Sequence, residues 1–366
     1  MKIAVLGVGR LGLCFSLNLE QAGYEVCGVD ISDKYVKSLN DKTFTSPEPE
    51  VSALLGKSKN FSATTHIAEV LKDDCKLLFI MVATPSKPDG SYDHSQIERI
   101  AGTLINFGRR DERIDIVIGC TVMPGYCSQL AETLRPYNYT VSYNPEFIAQ
   151  GSIIRDQLYA DQVLIGEADE AIGDTIEGIY KKLCRSTPTI CRMDPLSAEI
   201  CKLATNCYLT MKISFANSIG DMAKTAGADE QKILAAIGAD SRIGSKYLNY
   251  GFGFGGPCFP RDNRALILAA KKLNMELPLS EATDKINKAH LQFQLNHYLN
   301  NTDPAQKIVF DSVAYKKGTT ILEESQQLAL AIQLAKAGRI VHIKENSIVI
   351  TQLKQLYGKL FSYEEA

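Results

Sequence analysis

The sequence predicts an α/β protein with a parallel sheet in its N-terminal half, a long helix near its centre and a second α/β region at its end. Three observations carry this. The chain opens on a strand, a glycine-rich turn, a helix and a second strand. Three later apolar runs each break off at a polar turn. Between Asp194 and Gly227 the apolar residues recur at helical spacing.

The opening run "KIAVLG" (Lys2 to Gly7) is strand-like by composition, and "LCFSLNLEQAG" is helix-like and stops at Gly23. Between them stands Gly7-Val8-Gly9-Arg10-Leu11-Gly12, and the next strand, "YEVCGVD", ends in Asp30. A G-x-G-x-x-G motif alone is weak, but strand, helix and a following acidic residue form the Rossmann-like context that binds a dinucleotide. Gly7 allows the tight turn, Gly9 lets backbone approach a pyrophosphate, and Gly12 lets helix and strand pack closely. The unpaired N–H groups of the helix start favour the phosphates. Asp30 can accept from ribose hydroxyls and would repel a 2′-phosphate, so NAD is expected rather than NADP.

"KLLFIMV" runs into Ala83-Thr84-Pro85, "IDIVIGC" into Thr121-Val122-Met123-Pro124-Gly125, and "YTVSYN" into Pro145-Glu146-Phe147. Ligands in open α/β sheets bind beyond the carboxyl ends of the strands, so these turns are expected on the cofactor's rim. Asp194-Pro195 reads as a helix start. Leu196, Ile200, Leu203, Cys207 and Met211 continue it, and the pattern reaches Ala226 before Gly227. Lys202 and Asn206 share one face of this helix; by periodicity alone they suit a solvated stripe. Further on, "KIVFDSVAY" reads as a strand, "EESQQLALAIQLAKAG" as a helix and "RIVHIKE" as a strand, while "SIVITQLKQLYGKLF" is ambiguous, with helix expected near its end.

The 366 residues are 45% hydrophobic and 22% charged, enough for two or three domains with cores of their own. A formal net charge of −2, without a long basic run, argues against nucleic acid or an anionic membrane as the main partner. No stretch reaches the roughly 18 apolar residues of a membrane span, and the N-terminus has no signal-peptide pattern. Ten scattered cysteines without a C-x-x-C pair, and five histidines, indicate neither a metal site nor a disulfide framework. A reducing, cytoplasmic setting is expected.

The stretch "GFGFGGPCFPRD" (Gly251 to Asp262) places Cys258 beside four glycines. With it, the motifs resemble those of the UDP-glucose/GDP-mannose dehydrogenase family, in order, from Lys2 to Ala337. "GVGRLG" with Asp30 is similar to the family's NAD site; Gly7, Gly9, Arg10, Leu11, Gly12, Asp30, Lys34, Ala83, Thr84, Pro85 and Thr121 are the cofactor-binding residues so implied. "CTVMPG" makes Thr121 the active-site threonine, "NPEF" makes Glu146 the carboxylate, and "AEICKLATN" brings Lys202 and Asn206 into the active site. "GFGFGGPCFPRD" makes Cys258 the nucleophile, with Asp262 beside it. Phe147, Ile148, Lys202, Arg242, Tyr247, Phe252 and Gly255 fall where the family contacts substrate, as does Gly244.

The resemblance implies a four-electron oxidation of a sugar primary alcohol with two NAD, through a thioester on Cys258; a UDP-hexose is the first expectation. It also implies a homodimer across the long helix and three domains: NAD-binding (1–190), central helical and dimerising (191–300), and a C-terminal α/β nucleotide-sugar domain (301–366) that reads as shortened. Two positions depart from the pattern. Gln150 in "PEFIAQG" replaces a glutamate, and Glu323 in "TILEES" stands where an arginine is usual. The alternatives are a two-electron 3-hydroxyacid-type dehydrogenase, which would need no cysteine, and a nucleotide-sugar binding protein that has lost turnover.

Overall fold

The computed structural model describes residues 1–72 and 75–365. By internal contacts the chain divides into two compact units, 1–202 and 203–366.

The first unit is built on eight strands: β1 (Lys2–Leu6), β2 (Glu25–Val29), β3 (Phe61–Thr64), β4 (Leu77–Ile80), β5 (Ile114–Ile118), β6 (Tyr139–Tyr143), β7 (Gln162–Gly166) and β8 (Thr189–Met193). Their order in the sheet is β3-β2-β1-β4-β5-β6-β7-β8, parallel throughout except where β7 meets β6. The order reverses between β1 and β4, which is where such sheets open a crevice for ligand. The helices of this unit are α1 (Arg10–Gln21), α2 (Asp33–Asn40), α3 (Val51–Lys57), α4 (Ile67–Lys72), α5 (Ser95–Asn106), α6 (Tyr126–Leu134), α7 (Ile153–Leu158) and α8 (Glu170–Leu183). Successive strand residues point to opposite faces. Ile3, Val5 and Phe79 accordingly join one core with Phe15 and Leu17 of α1, while Ala4, Leu6 and Ile80 join another with Ile97 and Leu104 of α5. Both faces are covered, which is why these strands read as unbroken apolar runs.

Helix α9 (Pro195–Ala226) has 32 residues, and the boundary between the units falls within it. Asp194 accepts from Ser197 N at 2.9 Å at its start, and Gly227, at φ +74°, ends it. The second unit continues with α10 (Glu230–Gly238), α11 (Phe259–Lys272), α12 (Pro278–Asn301), β9 (Ile308–Phe310), α13 (Gln326–Lys336), β10 (Val341–Glu345), α14 (Ser347–Tyr357) and β11 (Ser362–Glu365). Its three strands form a parallel sheet in the order β11-β10-β9.

Two local expectations change here. The strand expected over "KIVFDSVAY" covers Ile308–Phe310 alone, because the N–H groups of Val313 and Ala314 go to the Glu345 carboxylate, at 3.0 and 3.1 Å. The ambiguous "SIVITQLKQLYGKLF" is helical from its first residue rather than near its end. Asn346 caps it by accepting from Val349 N at 3.0 Å, and Gly358 at φ +57° closes it. No helix among the described residues is long and apolar enough to cross a membrane.

Candidate active site

In the first unit the motifs at the ends of β1, β2, β4, β5 and β6 share one rim. Gly7 turns at φ +95°, and an added Cβ would lie 2.8 Å from Val82 and 2.9 Å from the Met81 carbonyl. A Cβ on Gly12 would run into the Gly7 carbonyl, whereas Gly9 faces open space. Helix α1 starts with no side chain capping it, so its first N–H groups point outward. An open Gly9, uncapped amides and Asp30 at the end of β2 together suit a dinucleotide. Asp30 accepts from Ser32 N at 3.2 Å. Lys34, Ala83 and Pro85 are exposed, and Leu11 packs at the edge of the α1 core. The buried Thr84 donates to the Thr121 carbonyl at 2.7 Å, tying the turn after β4 to the turn after β5.

Glu146 follows β6. Burial pushes its carboxyl up to about 7, against hydrogen bonds from Tyr180 and Gln157 and the charge of Lys202, which pull it down. The Tyr180 hydroxyl lies 2.8 Å from Asn144 Oδ1 and 3.2 Å from Glu146 Oε1. One hydroxyl proton cannot serve both acceptors. A protonated Glu146 relieves the conflict by donating to the tyrosine oxygen. Lys202 Nζ donates to the Glu146 carbonyl at 2.8 Å and sits 4.2 Å from the Phe147 ring centre. Phe147 and Ile148 are half-buried against the two cores. Gln150, the departure from the usual glutamate, accepts from the Arg10 guanidinium, so its amide engages the dinucleotide loop.

The helical periodicity alone suits a solvated Lys202 and Asn206; both are buried, at 6% and 7% exposure. In the second unit Asn206 Nδ2 donates to Asp262 Oδ2 at 2.5 Å. Cys258 occupies the N-cap position of α11. It is exposed, and the other nine cysteines are buried or half-buried. The glycines of its loop make room for the protein's own atoms: a Cβ at Gly253 would strike Asn287 Oδ1, and one at Gly255 the Glu324 carbonyl. Of the expected substrate contacts, Phe252 stacks on Phe310 with centroids 6.5 Å apart, and Tyr247 meets Phe259 edge-on at 6.2 Å. Arg242 pairs with Asp240 at 2.7 Å on the surface. Glu323 is exposed, while its neighbour Glu324 forms a bidentate pair with Arg264 at 2.6 and 2.7 Å.

Residues 1–184 match the NAD binding domain of the UDP-glucose/GDP-mannose dehydrogenase family and residues 196–289 its central domain. The chain belongs to that family. It is an NAD-dependent nucleotide-sugar 6-dehydrogenase. It is 31% identical to a GDP-mannose 6-dehydrogenase of Pseudomonas aeruginosa, over 95% of this chain and 82% of that one. It is 28% identical to a UDP-glucose 6-dehydrogenase of Bacillus subtilis, over 100% of this chain and 84% of that one. The structure of a UDP-glucose dehydrogenase from Pyrobaculum islandicum superposes with a TM-score of 0.88 at 28% identity, covering 100% and 86% of the two chains.

Sequence reasoning missed several supporting groups. Tyr180 and Gln157 flank Glu146, and Glu199 of α9 accepts from Gly125 N at 2.6 Å and Cys127 N at 2.7 Å. Buried Glu48 accepts from Gly151 N at 3.0 Å and Ile153 N at 2.8 Å, fixing the segment after Glu146. Of these only Glu199 falls within a quoted motif, as the second residue of "AEICKLATN". Glu199 and Glu48 are buried carboxylates bound to backbone N–H groups, which sequence pattern does not signal.

Proposed function

We propose that the enzyme oxidises the C6 primary alcohol of a UDP-hexose to the uronate, with Cys258 carrying the intermediate. The observation that bears most weight is Cys258, the exposed thiol among ten, at the head of α11 in its glycine-rich loop. Two NAD, bound in turn, would each accept one hydride, the first leaving the carbinol carbon as an aldehyde. Glu146, near 7, takes the hydroxyl proton directly or through water that Thr121 helps to hold. Lys202 and Asn206 donate to the oxygen that gains negative charge, contacts worth about 3 kcal/mol each where measured in other enzymes. Asp262 fixes the Asn206 amide.

The Cys258 thiolate adds to the aldehyde carbon, forming a C–S bond and a thiohemiacetal. Loss of the second hydride from that carbon leaves a thioester. Water then adds, the C–S bond breaks, and the carboxylate product leaves with the thiolate restored. Gly7, Gly9, Arg10, Gly12, Asp30 and the turns at Ala83 to Pro85 and Thr121 serve the cofactor in this reading. Phe147, Ile148, Tyr247, Phe252 and Gly255 serve the sugar nucleotide. The alignment of this whole chain with a UDP-glucose 6-dehydrogenase supports UDP-glucose as the first substrate to test. The higher identity to a GDP-mannose 6-dehydrogenase keeps GDP-mannose as the second.

We also propose a homodimer through α9. Leu196, Ile200, Tyr208, Phe215 and Met222 are all exposed on it, at helical spacing, as a stripe that a second copy would cover.

The test is a panel of nucleotide sugars with NADH read by absorbance. Two NADH per sugar, and loss of both in Cys258→Ala, are expected. One NADH per sugar, with Cys258→Ala still turning over, would favour a two-electron dehydrogenase.

A further inference from the structure

The loop that leads to Cys258 is gripped by side chains to which the reaction gives no role. Asn287 of α12 donates from Nδ2 to the Phe254 carbonyl and accepts at Oδ1 from Phe254 N, both at 2.9 Å. One turn further along α12, His290 places Nε2 2.7 Å from the Gly251 carbonyl and Nδ1 2.8 Å from Asp221 Oδ2. Both partners are acceptors. A neutral imidazole has one N–H and can serve one of them; an imidazolium donates to both. Asn287 and His290 are 8% and 2% exposed, and the Gly251 carbonyl also accepts from Gln294 Nε2 at 3.1 Å. Asn217 of α9 completes the grip, accepting from Gly251 N at 3.1 Å and donating to the Phe252 carbonyl at 3.3 Å.

Further groups surround His290. Asp221 faces it from α9. Tyr250 meets the imidazole edge-on, with centroids 5.5 Å apart, and gives its hydroxyl proton to Asp221 Oδ1 at 2.9 Å. Beyond Tyr250, Lys224 lies 5.2 Å from the ring centre and pairs with Glu230 of α10 at 3.1 Å. The charged group in direct contact with the imidazole is thus the Asp221 carboxylate.

We infer that Asn287 and His290 are positioning residues: the amide clamp at Phe254 and the imidazole held between Gly251 and Asp221 set the course of residues 251–254 and, through it, the place of the Cys258 thiol. The effect on turnover rests on Cys258 being the nucleophile; the effect on the loop does not.

The test measures hydrogen exchange of the peptide spanning 251–258, alkylation of Cys258 by iodoacetamide followed by peptide mass spectrometry, and steady-state kinetics. The variants are Asn287→Ala, His290→Leu and His290→Gln. Loop exchange is expected to rise at least ten-fold in the first two. The kcat should fall at least ten-fold while the KM for NAD stays within two-fold. His290→Gln, which keeps one donor nitrogen, should fall between parent and His290→Leu in both. Parent-like loop exchange and alkylation in these variants would overturn the inference. Should the two severe variants not fold, parent-like exchange and kcat in His290→Gln would overturn it alone. A Cys258→Ala enzyme that still yields two NADH would remove the nucleophile reading and leave the loop measurement standing.

Discussion

Burial lifts the Glu146 carboxyl from 4.5 to about 7, so the folded chain binds this proton more tightly than the unfolded one. The sign follows from linkage: stability from this site is fully present below about 4.5 and lost as pH rises through about 7, about 3 kcal/mol in all. Glu146→Gln carries no charge to desolvate. It should therefore melt several degrees above the parent at pH 8 and close to it at pH 5, by calorimetry. In the same variant kcat should fall at least a hundred-fold, because the proton acceptor is gone. A variant less stable at pH 8 than at pH 5, relative to the parent, would contradict the burial argument. Sequence pointed to Glu146 through its "NPEF" turn. Its shifted acidity was not legible, since the burial that raises it, and the opposing hydrogen bonds from Tyr180 of α8 and Gln157 of α7, arise only in the fold.

At the scale of elements, β1, α1 and β2 were readable because apolar runs, turn glycines and Asp30 all point the same way. The steric need at Gly12 is local: its Cβ would strike the Gly7 carbonyl. Gly12→Ala should weaken NAD binding at least ten-fold by calorimetric titration, and unchanged affinity would contradict that reading. The link between α6 and α9 was not readable. Glu199 supplies it with one buried carboxylate on two backbone N–H groups, and burial raises that carboxyl above its usual range. Glu199→Ala leaves both donors bare and should cost about 2–4 kcal/mol, seen as an earlier urea midpoint. Lys202 and Asn206 show the limit of periodicity. Helical spacing gives the face they share, while burial depends on what packs against that face. The short β9 has the same lesson, since Glu345, thirty or more positions along the chain, takes the N–H groups that would have extended it.

Over the whole molecule, the exposed stripe on α9 carries the dimer proposal. A double substitution, Phe215→Glu with Met222→Lys, should convert a dimer to a monomer in sedimentation, and an unchanged dimer would place the interface elsewhere. The family motifs identified the chemistry class from sequence because all but the Lys202 and Asn206 pair within α9 sit at a strand end or a helix start, where few residue types fit. The groups that hold those motifs in place were hidden because their partners are distant in sequence. The central claim is that a sugar carbon becomes bonded to the sulfur of Cys258. Acid quenching during turnover with a nucleotide sugar that proves to be a substrate, followed by peptide mass spectrometry, measures this directly. The account expects the peptide containing Cys258 to carry the mass of the oxidised sugar nucleotide, and Cys258→Ala to carry none. Two NADH released per sugar with no adduct on that peptide at any quench time, and with Cys258→Ala equally active, would contradict it.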